Sequence, residues 1–394
     1  MLLHPQGRII FEGTEYKLHD IVRLMNPICH SLQPYFKDNL RVGIAVKSRL
    51  MQICSILSVI SCNCIYVPIS PDEPVERIKT IVNQCCDVLI SDLALETKVP
   101  CIKLDGLNWS IEDHKVCNEH FNPRYTIFTS GSTGAPKGVV IKRQAIINFI
   151  EGISEIIDFS AGRRIACLTN VSFDIFFLES IMALHKGLTV VLANEQERRN
   201  PELTSRLIRN HAVDMIQMTP SSIQLLLNYD KDLVCLENVK EIMIGGEPFP
   251  PNLLKILQKK TSAKIYNMYG PTETTIWSTV SDLTYKASVD IGRPIKNTKV
   301  YVVDENLSVL PDGEVGEILI SGHGLADGYF GNHELTQESF VYLPFAHNTR
   351  AYKTGDLGRY LSNGVLECLG RIDNQVKLRG HRIELEEIEF YLNQ

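Results

Sequence analysis

Short apolar runs that predict buried strands alternate with helical patterns over the first two thirds of the chain. The strand-like runs Val42–Val46 and Cys64–Pro68 flank the helical stretch Met51–Ile60. Further strand-like runs are Asp87–Ile90, Leu188–Leu192 and Met215–Met218, and a helical pattern at Pro201–His211 precedes the last of them. This alternation predicts mostly parallel sheets with helices on both faces. Sheets of this kind bind ligands at the carboxyl ends of their strands.

A different pattern begins at about Val280 and continues to Leu369. Short strands and turns follow one another there, at Thr298–Val303, Val315–Ile320 and Gly364–Leu369. They predict a small β-rich unit. A chain of 394 residues is long enough for two or three structural units in all.

Composition and charge narrow the classes of function. The net charge is −6 and the pI is about 6.0, so we expect neither a nucleic acid nor an anionic membrane as partner. The eleven cysteines lack metal-ligand spacing and no secretory signal is present, which predicts reduced thiols in a cytoplasmic protein. The most apolar stretch, Ile53–Ile69, contains Asn63 and Pro68, which favours a buried helix and strand over a membrane span.

A loop of glycines and hydroxyl residues follows the β-prone run Tyr125–Thr129. Its sequence from Ser130 to Gly138 is SGSTGAPKG. Glycines let backbone N–H groups approach an anion, hydroxyls add donors, and the lysine adds a positive charge. No Ser or Thr follows a Gly-Lys pair, so this is not a Walker A loop. The pattern predicts a polyphosphate-binding loop, and a flexible polar turn is the alternative.

The segment Thr129–Gly138 resembles the phosphate loop of adenylate-forming enzymes, and other motifs of that superfamily follow in the family's order. They are YGPTET at Tyr269–Thr274, GEI at Gly316–Ile318, GLA at Gly324–Ala326, YKTGDLGR at Tyr352–Arg359 and GRIDNQVK at Gly370–Lys377. The resemblance runs from about Tyr66 to the C-terminus and is strongest for the amino-acid adenylation domains of nonribosomal peptide synthetases. It implies an α/β fold with parallel-rich sheets flanked by helices in two pseudo-repeated subdomains, plus a small β-barrel-like subdomain.

The resemblance also implies a reaction, in which a carboxylate attacks the α-phosphorus of ATP to give an acyl-AMP and pyrophosphate. Such a reaction depends on positioning and on neutralising charge. The residues expected to hold the phosphates are Thr129, Ser130, Gly131, Ser132, Thr133, Gly134 and Lys137. Glu273 is expected to hold Mg²⁺ beside Thr272, and these two residues and Lys137 form the expected catalytic set. A carboxylate at the start of a helix is the alternative role for Glu273.

Adenosine has its own set of expected contacts. They are, in chain order, Gly245, Gly246, Glu247, Asn267, Met268, Tyr269, Gly270, Thr272, Asp356 and Arg371. The paired glycines let a flat adenine lie against the backbone, unless they form a plain turn. By the resemblance, Asn267 reads the adenine edge, Tyr269 stacks on the ring and Asp356 accepts the ribose hydroxyls. Arg371 would contact the ribose or a phosphate. A surface ion pair between Asp356 and Arg371 is the competing interpretation.

Asp174 is the clearest indication of the substrate class. It lies in the apolar segment SFDIFFL, and an ionised carboxylate in such surroundings needs a partner. A substrate ammonium group would be that partner, since amino-acid-activating members of the family carry Asp at this motif position. Fatty-acid and aryl-acid ligases have no need of it. Two alternatives remain, a solvent-facing carboxylate and a cap of the next helix.

The other expected substrate contacts indicate a very small amino acid. Together with Asp174 they are Ile175, Leu178, Gln217, Met243, Gly245, Met268, Ile276 and Trp277. This set resembles the pocket of glycine-activating domains. Trp277 is one of two tryptophans and, with its large neighbours, would exclude a substrate side chain by steric contact. Trp277 as ordinary core is the alternative, and alanine is the second substrate, since one methyl group is a small difference to reject.

The resemblance divides the chain into an adenylation core at 1–372, with a β-rich subdomain at 280–372, and a hinge with the start of a small C-terminal domain at 373–394. The lysine that the family uses from that small domain would then be missing, and adenylation by the chain alone would be impaired. A phosphopantetheine carrier protein is the expected acceptor. Two other interpretations stay open, an acyl-CoA or carrier ligase for another acid and a non-catalytic nucleotide-binding protein.

Overall fold

Strands and helices alternate through most of the chain in the computed structural model, which describes residues 3–109, 121–131, 136–373, 375–378 and 381–383. The strands are β1 (Arg8–Phe11), β2 (Thr14–Tyr16), β3 (Arg41–Ala45), β4 (Ile65–Pro68), β5 (Val88–Ser91), β6 (Cys101–Lys103), β7 (Tyr125–Thr129), β8 (Lys137–Ile141), β9 (Arg164–Cys167), β10 (Thr189–Leu192), β11 (Met215–Met218), β12 (Glu241–Gly245), β13 (Lys264–Tyr269), β14 (Thr279–Asp282), β15 (Arg293–Pro294), β16 (Thr298–Val303), β17 (Gly316–Gly322), β18 (Gly328–Tyr329), β19 (Phe340–Leu343), β20 (Thr349–Tyr360), β21 (Leu366–Arg371), β22 (Val376–Leu378) and β23 (His381–Ile383).

The helices that connect these strands vary from one turn to four. They are α1 (Leu18–Leu32), α2 (Arg49–Ser61), α3 (Val75–Cys85), α4 (Arg143–Ser154), α5 (Ile175–Phe177), α6 (Ala183–Lys186), α7 (Glu195–Arg199), α8 (Pro201–Asn210), α9 (Pro220–Tyr229), α10 (Pro251–Lys260) and α11 (His333–Ser339). A π-helical turn at Leu178–Met182 continues α5 into α6. Short 3-10 turns lie at Gln33–Tyr35, Leu104–Gly106, Val234–Leu236, Thr272–Thr274 and Pro344–Ala346.

The chain divides into two compact units. The first unit contains Met1–Phe128 and Phe159–Leu207, and the second contains Thr129–Asp158 and Ile208–Gln394. Each unit thus takes two separate stretches of the sequence.

Parallel strands dominate the first unit. Strands β7, β4, β3, β5 and β6 lie side by side in this order, each parallel to its neighbours. Strand β10 lies parallel to both β9 and β1, and β2 adds an antiparallel edge to β1. Every residue of β4 and β5 is buried, as is typical of strands covered on both faces. The buried helix α2 begins after Ser48, whose Oγ accepts the Met51 N–H.

A parallel arrangement also forms part of the second unit. Strands β11, β12 and β13 are parallel, while β14 and β15 continue this sheet in the antiparallel sense. The register aligns Gln217 with Met243, and Gly245 with Met268. The carboxyl ends of β12 and β13 are therefore neighbours, and the Gly-Gly and YGPTE segments leave the sheet at the same edge.

An antiparallel sheet occupies the later part of the second unit. Its strand order is β16, β17, β20, β19, and β21 pairs with the C-terminal half of the long strand β20. Its core contains Ile318, Ile320 and Leu366, which are almost completely buried. Leu319, which lies between Ile318 and Ile320 on β17, belongs to a second buried cluster with Val303, Leu343 and Ala351, so both faces of this sheet are covered near β17.

The predicted fold class is confirmed. Each strand and helix predicted in the first two thirds is present, with bounds that shift by one or two residues, and the β-rich unit lies where the pattern changed. The domain bounds at 372 and 373 stay predictions. Within the described residues, no helix is both long enough and apolar enough to cross a membrane.

Candidate functional site

The predicted phosphate loop begins at the carboxyl end of β7. Thr129 ends this strand, buried Ser130 and Gly131 follow it, and Lys137 starts β8. The predicted contacts Ser132, Thr133 and Gly134 lie outside the described residues. The described part of the loop therefore has the strand-to-loop position that the sequence predicted.

Tyr329 connects two of the predicted catalytic residues. The hydroxyl of Tyr329 donates a hydrogen bond of 2.8 Å to the Glu273 carboxylate. Its ring lies 5.5 Å from Lys137 Nζ, a cation–π distance. The pairing of β18 with β8 sets this geometry, because Tyr329 is aligned with Val139, two residues after the lysine. The lysine thus contacts the ring, and the carboxylate contacts the hydroxyl, of one aromatic side chain.

Glu273 is the predicted magnesium ligand. Its side chain is fully buried, in the 3-10 turn after β13, and a buried carboxylate is costly unless it is paired or binds a cation. Mg²⁺ is commonly held by one or two carboxylates together with substrate phosphates. Among the described residues, no group of three or more His, Cys, Asp or Glu is placed to hold a metal alone. The donor set therefore fits an ion that shares its ligands with phosphate.

The backbone directly after Glu273 is strained. Thr275 and Ile276 both have φ of 66°, a left-handed conformation that β-branched residues rarely adopt. Two hydrogen bonds hold the segment, one from Thr275 Oγ1 to the Gly324 carbonyl and one from the Ser278 N–H to the Tyr269 carbonyl. The strained pair leads into Trp277 and sets the direction in which the indole leaves the backbone.

Glycine is required at each of the two positions at the end of β12, but for a different physical reason at each. A Cβ on Gly245 would lie 2.5 Å from the Met268 carbonyl oxygen and 2.6 Å from Trp277 Cη2, so no side chain fits. Gly246 has φ of 83°, which favours glycine. Glu247 is held by Ser221, whose N–H and Oγ both donate to its carboxylate. The segment is tightly constrained and is not a loose turn.

The predicted ribose contacts lie together in the second unit. Tyr269 donates to Asp356 over 2.6 Å, and Arg371 pairs with the other carboxylate oxygen over 3.1 Å. The ion pair of the competing interpretation is present, but its side chains are only 13% and 18% exposed, so it is not a surface pair. Burial, and to a smaller extent the negative charge of Asp356, raise the pKa of Tyr269 well above its usual value. The phenol therefore stays protonated and remains a hydrogen-bond donor.

Asn267 has a defined partner in the folded chain. Its Nδ2 donates to the Asp290 carbonyl over 2.8 Å. The register aligns Asn267 with Ile244, so it projects from the opposite face of β13 to its neighbour Met268. The adenine contact of Asn267 stays a prediction, with its amide already engaged by the backbone.

Six of the predicted substrate residues belong to the second unit. They are Gln217, Met243, Gly245, Met268, Ile276 and Trp277. The first four share one face of the β11–β13 sheet, because aligned residues of parallel neighbours point the same way. Trp277 is 2% exposed, and its Nε1 makes no hydrogen bond to any described residue. The indole packs on Gly245, so the apolar space over this face is already filled.

Asp174 belongs to the first unit with Ile175 and Leu178. It is 7% exposed, which excludes the solvent-facing alternative, and its side chain does not cap α5, which excludes the other. Burial, and then the negative charge of Asp174, raise the pKa of Tyr66 and Tyr125 well above their usual values. The carboxylate is therefore held near two aromatic side chains in an apolar part of this unit.

Three functional candidates escaped the sequence reasoning. Tyr329 lies three residues after the GLA motif, and its hydrogen bond to Glu273 joins residues 56 positions apart in the sequence. Glu179 and Arg49 are charged residues in apolar runs, a signal that was available, and both are almost fully buried beside the Asp174 segment. The sequence shows a charged residue in an apolar helix, but it does not show the distant partner that such a charge needs.

Comparison with known proteins bears on the family and on the fold of the chain. The family model of AMP-binding enzymes matches residues 32–330. A dimodular nonribosomal peptide synthase of Bacillus subtilis (strain 168) is 36% identical over 368 residues, 89% of this chain and 15% of that protein. A solved nonribosomal peptide synthetase protein with adenylation and PCP domains, bound to a vinylsulfonamide inhibitor, superposes with a TM-score of 0.86 at 25% identity, over 98% of this chain and 69% of that one.

A second solved structure is a four-domain nonribosomal peptide synthetase bound to AMP and glycine. It superposes with a TM-score of 0.81 at 29% identity, over 96% of this chain and 29% of that chain. The chain therefore spans only a small part of the curated relative and of this four-domain protein. The resemblance predicted from the motifs is confirmed, and the chain belongs to the family of AMP-binding enzymes.

Proposed function

We propose that this chain activates a small amino acid, with glycine as the preferred substrate, by adenylation at the expense of ATP. A carboxylate oxygen of the amino acid attacks the α-phosphorus, and the bond to the bridging oxygen of the β-phosphate breaks. The aminoacyl-AMP and pyrophosphate are the products. The observation that carries the proposal is the contact between Trp277 and position 245, where even a Cβ would meet the indole at 2.6 Å.

Steric exclusion supports glycine. Trp277, Met268 and Met243 are all buried and belong to the set that the resemblance assigns to the substrate pocket, so a larger substrate side chain would have to displace them. One methylene group alters binding in such a pocket by about 10- to 200-fold. Alanine is therefore the expected second substrate. The structural neighbour bound to AMP and glycine is consistent with this order.

Charge supports an amino acid over other carboxylic acids. A carboxylate as deeply buried as Asp174 is costly, and pairing with an ammonium group offsets that cost. In the proposed reaction Asp174 binds the substrate ammonium. A ligase for fatty or aryl acids would gain nothing from this charge.

The phosphates are assigned to the second unit. Lys137 and the loop after β7 would hold the β- and γ-phosphates. Asp356, which Tyr269 and Arg371 hold in place, would accept hydrogen bonds from the ribose hydroxyls. A magnesium ion, when bound at Glu273, neutralises phosphate charge. Tyr329 keeps one oxygen of Glu273 fixed by donating its hydroxyl hydrogen. A phosphopantetheine carrier domain is the proposed acceptor of the aminoacyl group.

The test is ATP–pyrophosphate exchange by this protein, with each amino acid supplied singly. Glycine should give the fastest exchange and alanine the next. Exchange with another amino acid and none with glycine would refute the substrate assignment. If no carboxylic acid supports exchange and calorimetry detects no binding of ATP at millimolar concentration, the adenylation proposal itself is wrong.

A Trp277→Ala variant tests the steric argument directly. The variant should lose preference for glycine and gain exchange with alanine and larger amino acids, by about ten- to a hundredfold in relative specificity. Trp109→Ala is the matched control, because this second tryptophan is 38% exposed and lies in the other unit. An unchanged substrate order in Trp277→Ala would contradict the proposed role of the indole.

A further inference from the structure

Glu179 is buried in the first unit, in the π-helical turn that follows α5. Its carboxylate accepts three hydrogen bonds, from the Leu168 N–H at 2.9 Å, the Thr169 N–H at 2.8 Å and Thr169 Oγ1 at 2.7 Å. Both N–H groups bond to the same oxygen, and the hydroxyl bonds to the other. The donors come from the residues that leave β9, ten and eleven positions earlier in the chain.

Arg49 holds the same short segment through its carbonyls. Its guanidinium donates to the Cys167 carbonyl at 3.1 Å and to the Thr169 carbonyl at 2.9 Å. Arg49 is itself 2% exposed, with one ion-pair contact to Glu195 at 3.7 Å and the Phe176 ring at 5.7 Å. The backbone after β9 therefore has its donors satisfied by one charged side chain and its acceptors by another.

Asp174 lies inside the loop that these contacts close. After Thr169 the chain turns at Asn170, whose Oδ1 accepts the Ser172 N–H and whose carbonyl accepts the Phe173 N–H. Helix α5 then begins after Asp174, whose carbonyl accepts the Phe177 N–H at 2.9 Å. One end of the loop is the Leu168–Thr169 segment and the other is the helical turn that carries Glu179. Fixing the two ends to each other fixes the backbone that places the carboxylate of Asp174.

We propose that Glu179, supported by Arg49, is a positioning residue for the substrate ammonium site, acting through the loop that carries Asp174. The inference rests on the proposed function for the role of Asp174 itself. Glu179 contacts no substrate atom in this assignment. Its effect is on the geometry of amino-acid binding, whereas ATP binding, assigned to the second unit, is independent of it.

The kinetic test compares Glu179→Ala with Glu179→Gln in pyrophosphate exchange, using the amino acid that the wild-type full-length protein activates fastest. The alanine variant should raise the KM for the amino acid about tenfold or more and leave the KM for ATP within about twofold. The glutamine variant keeps an acceptor for both N–H groups and should recover most of the affinity. An equal rise in both KM values, or no rise, would overturn the proposal.

Glu197→Ala is the matched control for general destabilisation. Glu197 belongs to the same unit, and its carboxylate accepts the Asn194 N–H in the capping box of α7. This control should leave both KM values unchanged. If the alanine variant at position 179 does not fold, Glu179→Asp provides the same comparison, since it keeps the charge but withdraws the carboxylate by one methylene group.

Amide hydrogen exchange separates this inference from the proposed function. In Glu179→Asp, or in Glu179→Ala if it folds, the Phe176 and Phe177 amides should exchange at least about tenfold faster than in the wild type, because their hydrogen bonds belong to the loop. Unchanged protection would refute the positioning role whatever the substrate is. A wild-type protein without amino-acid-dependent exchange would instead refute the proposed function and leave the amide test valid.

Discussion

Replacing Glu179 by glutamine should change how the stability of the chain depends on pH. Burial raises the pKa of the Glu179 carboxyl to about 7, against 4.5 for the ordinary side chain, and the hydrogen bonds from Thr169 and Leu168 and the charge of Arg49 offset only part of this effect. A glutamine side chain at this position does not titrate between pH 4.5 and pH 8. The difference between the two proteins therefore isolates one carboxyl group.

The sign follows from proton linkage. Between pH 4.5 and about 7 the unfolded chain has an ionised Glu179 while the folded chain keeps it protonated, so folding binds a proton. The stabilisation is complete below the unfolded pKa and is lost as the pH rises through the folded pKa. Each pH unit in this interval is worth about 1.4 kcal/mol. The wild type should thus lose about 2–3 kcal/mol, relative to Glu179→Gln, between pH 5 and pH 8.

The groups that face Glu179 do not obscure this measurement. Burial raises the pKa of Cys167 well above its usual value, so this thiol stays neutral. The remaining pH dependence of the chain is shared by both proteins and cancels in the difference.

The assay is urea unfolding of wild type and Glu179→Gln at half-unit steps from pH 5 to pH 8, with the urea dependence checked for equal slopes. The free-energy gap should widen in favour of the variant as the pH rises. Glu76→Gln is the control, since it removes a carboxylate that is 83% exposed from the same unit. Curves for wild type and Glu179→Gln that stay parallel within about 1 kcal/mol would refute the burial argument.

Three further substitutions test the second unit. Gly245→Ala should abolish pyrophosphate exchange and lower the melting temperature, because its Cβ would lie 2.5 Å from the backbone oxygen of Met268, which has little room to move, and overpacking costs about 1–3 kcal/mol. Normal exchange by this variant would contradict the tight packing. Tyr329→Phe should raise the magnesium concentration for half-maximal exchange several-fold, since Glu273 loses its hydroxyl donor; an unchanged magnesium titration would exclude that role. Asp356→Ala should weaken AMP binding in calorimetry by about tenfold or more, and equal affinity would remove it from the ribose contacts.

Strand positions were predictable because a buried strand has a local signature. The runs that form β3, β4 and β5 are short and apolar, and each is followed by a helix or turn signal. Their pairing into one parallel sheet follows from the alternation with helices. The two-residue strand β18 has no such signature. It exists because Gly328 and Tyr329 pair with β8, from which they are distant in sequence.

The candidate site was predictable where a motif carries its own chemistry. Asp174 in an apolar segment has a local reason that a sequence displays. The packing reason for glycine at position 245, the approach of Met268 and Trp277, is visible only in the fold. The network of Glu179 and Arg49 is different, because these two residues are 130 positions apart and both bond to backbone groups of the segment after β9. No local pattern names the partner of a buried charge, and only the fold brings the two together.

The left-handed pair Thr275–Ile276 has a consequence for how the substrate preference of this chain can change by mutation. Each residue costs on the order of 1–3 kcal/mol in that conformation, and glycine at either position would recover part of it. A glycine would also free the turn that aims Trp277. At these two positions, a mutation that stabilises the fold is therefore expected to reduce the selectivity for the amino-acid substrate. Stabilising this turn should broaden the range of amino acids accepted, and natural variation at this turn should be limited by selectivity more than by folding.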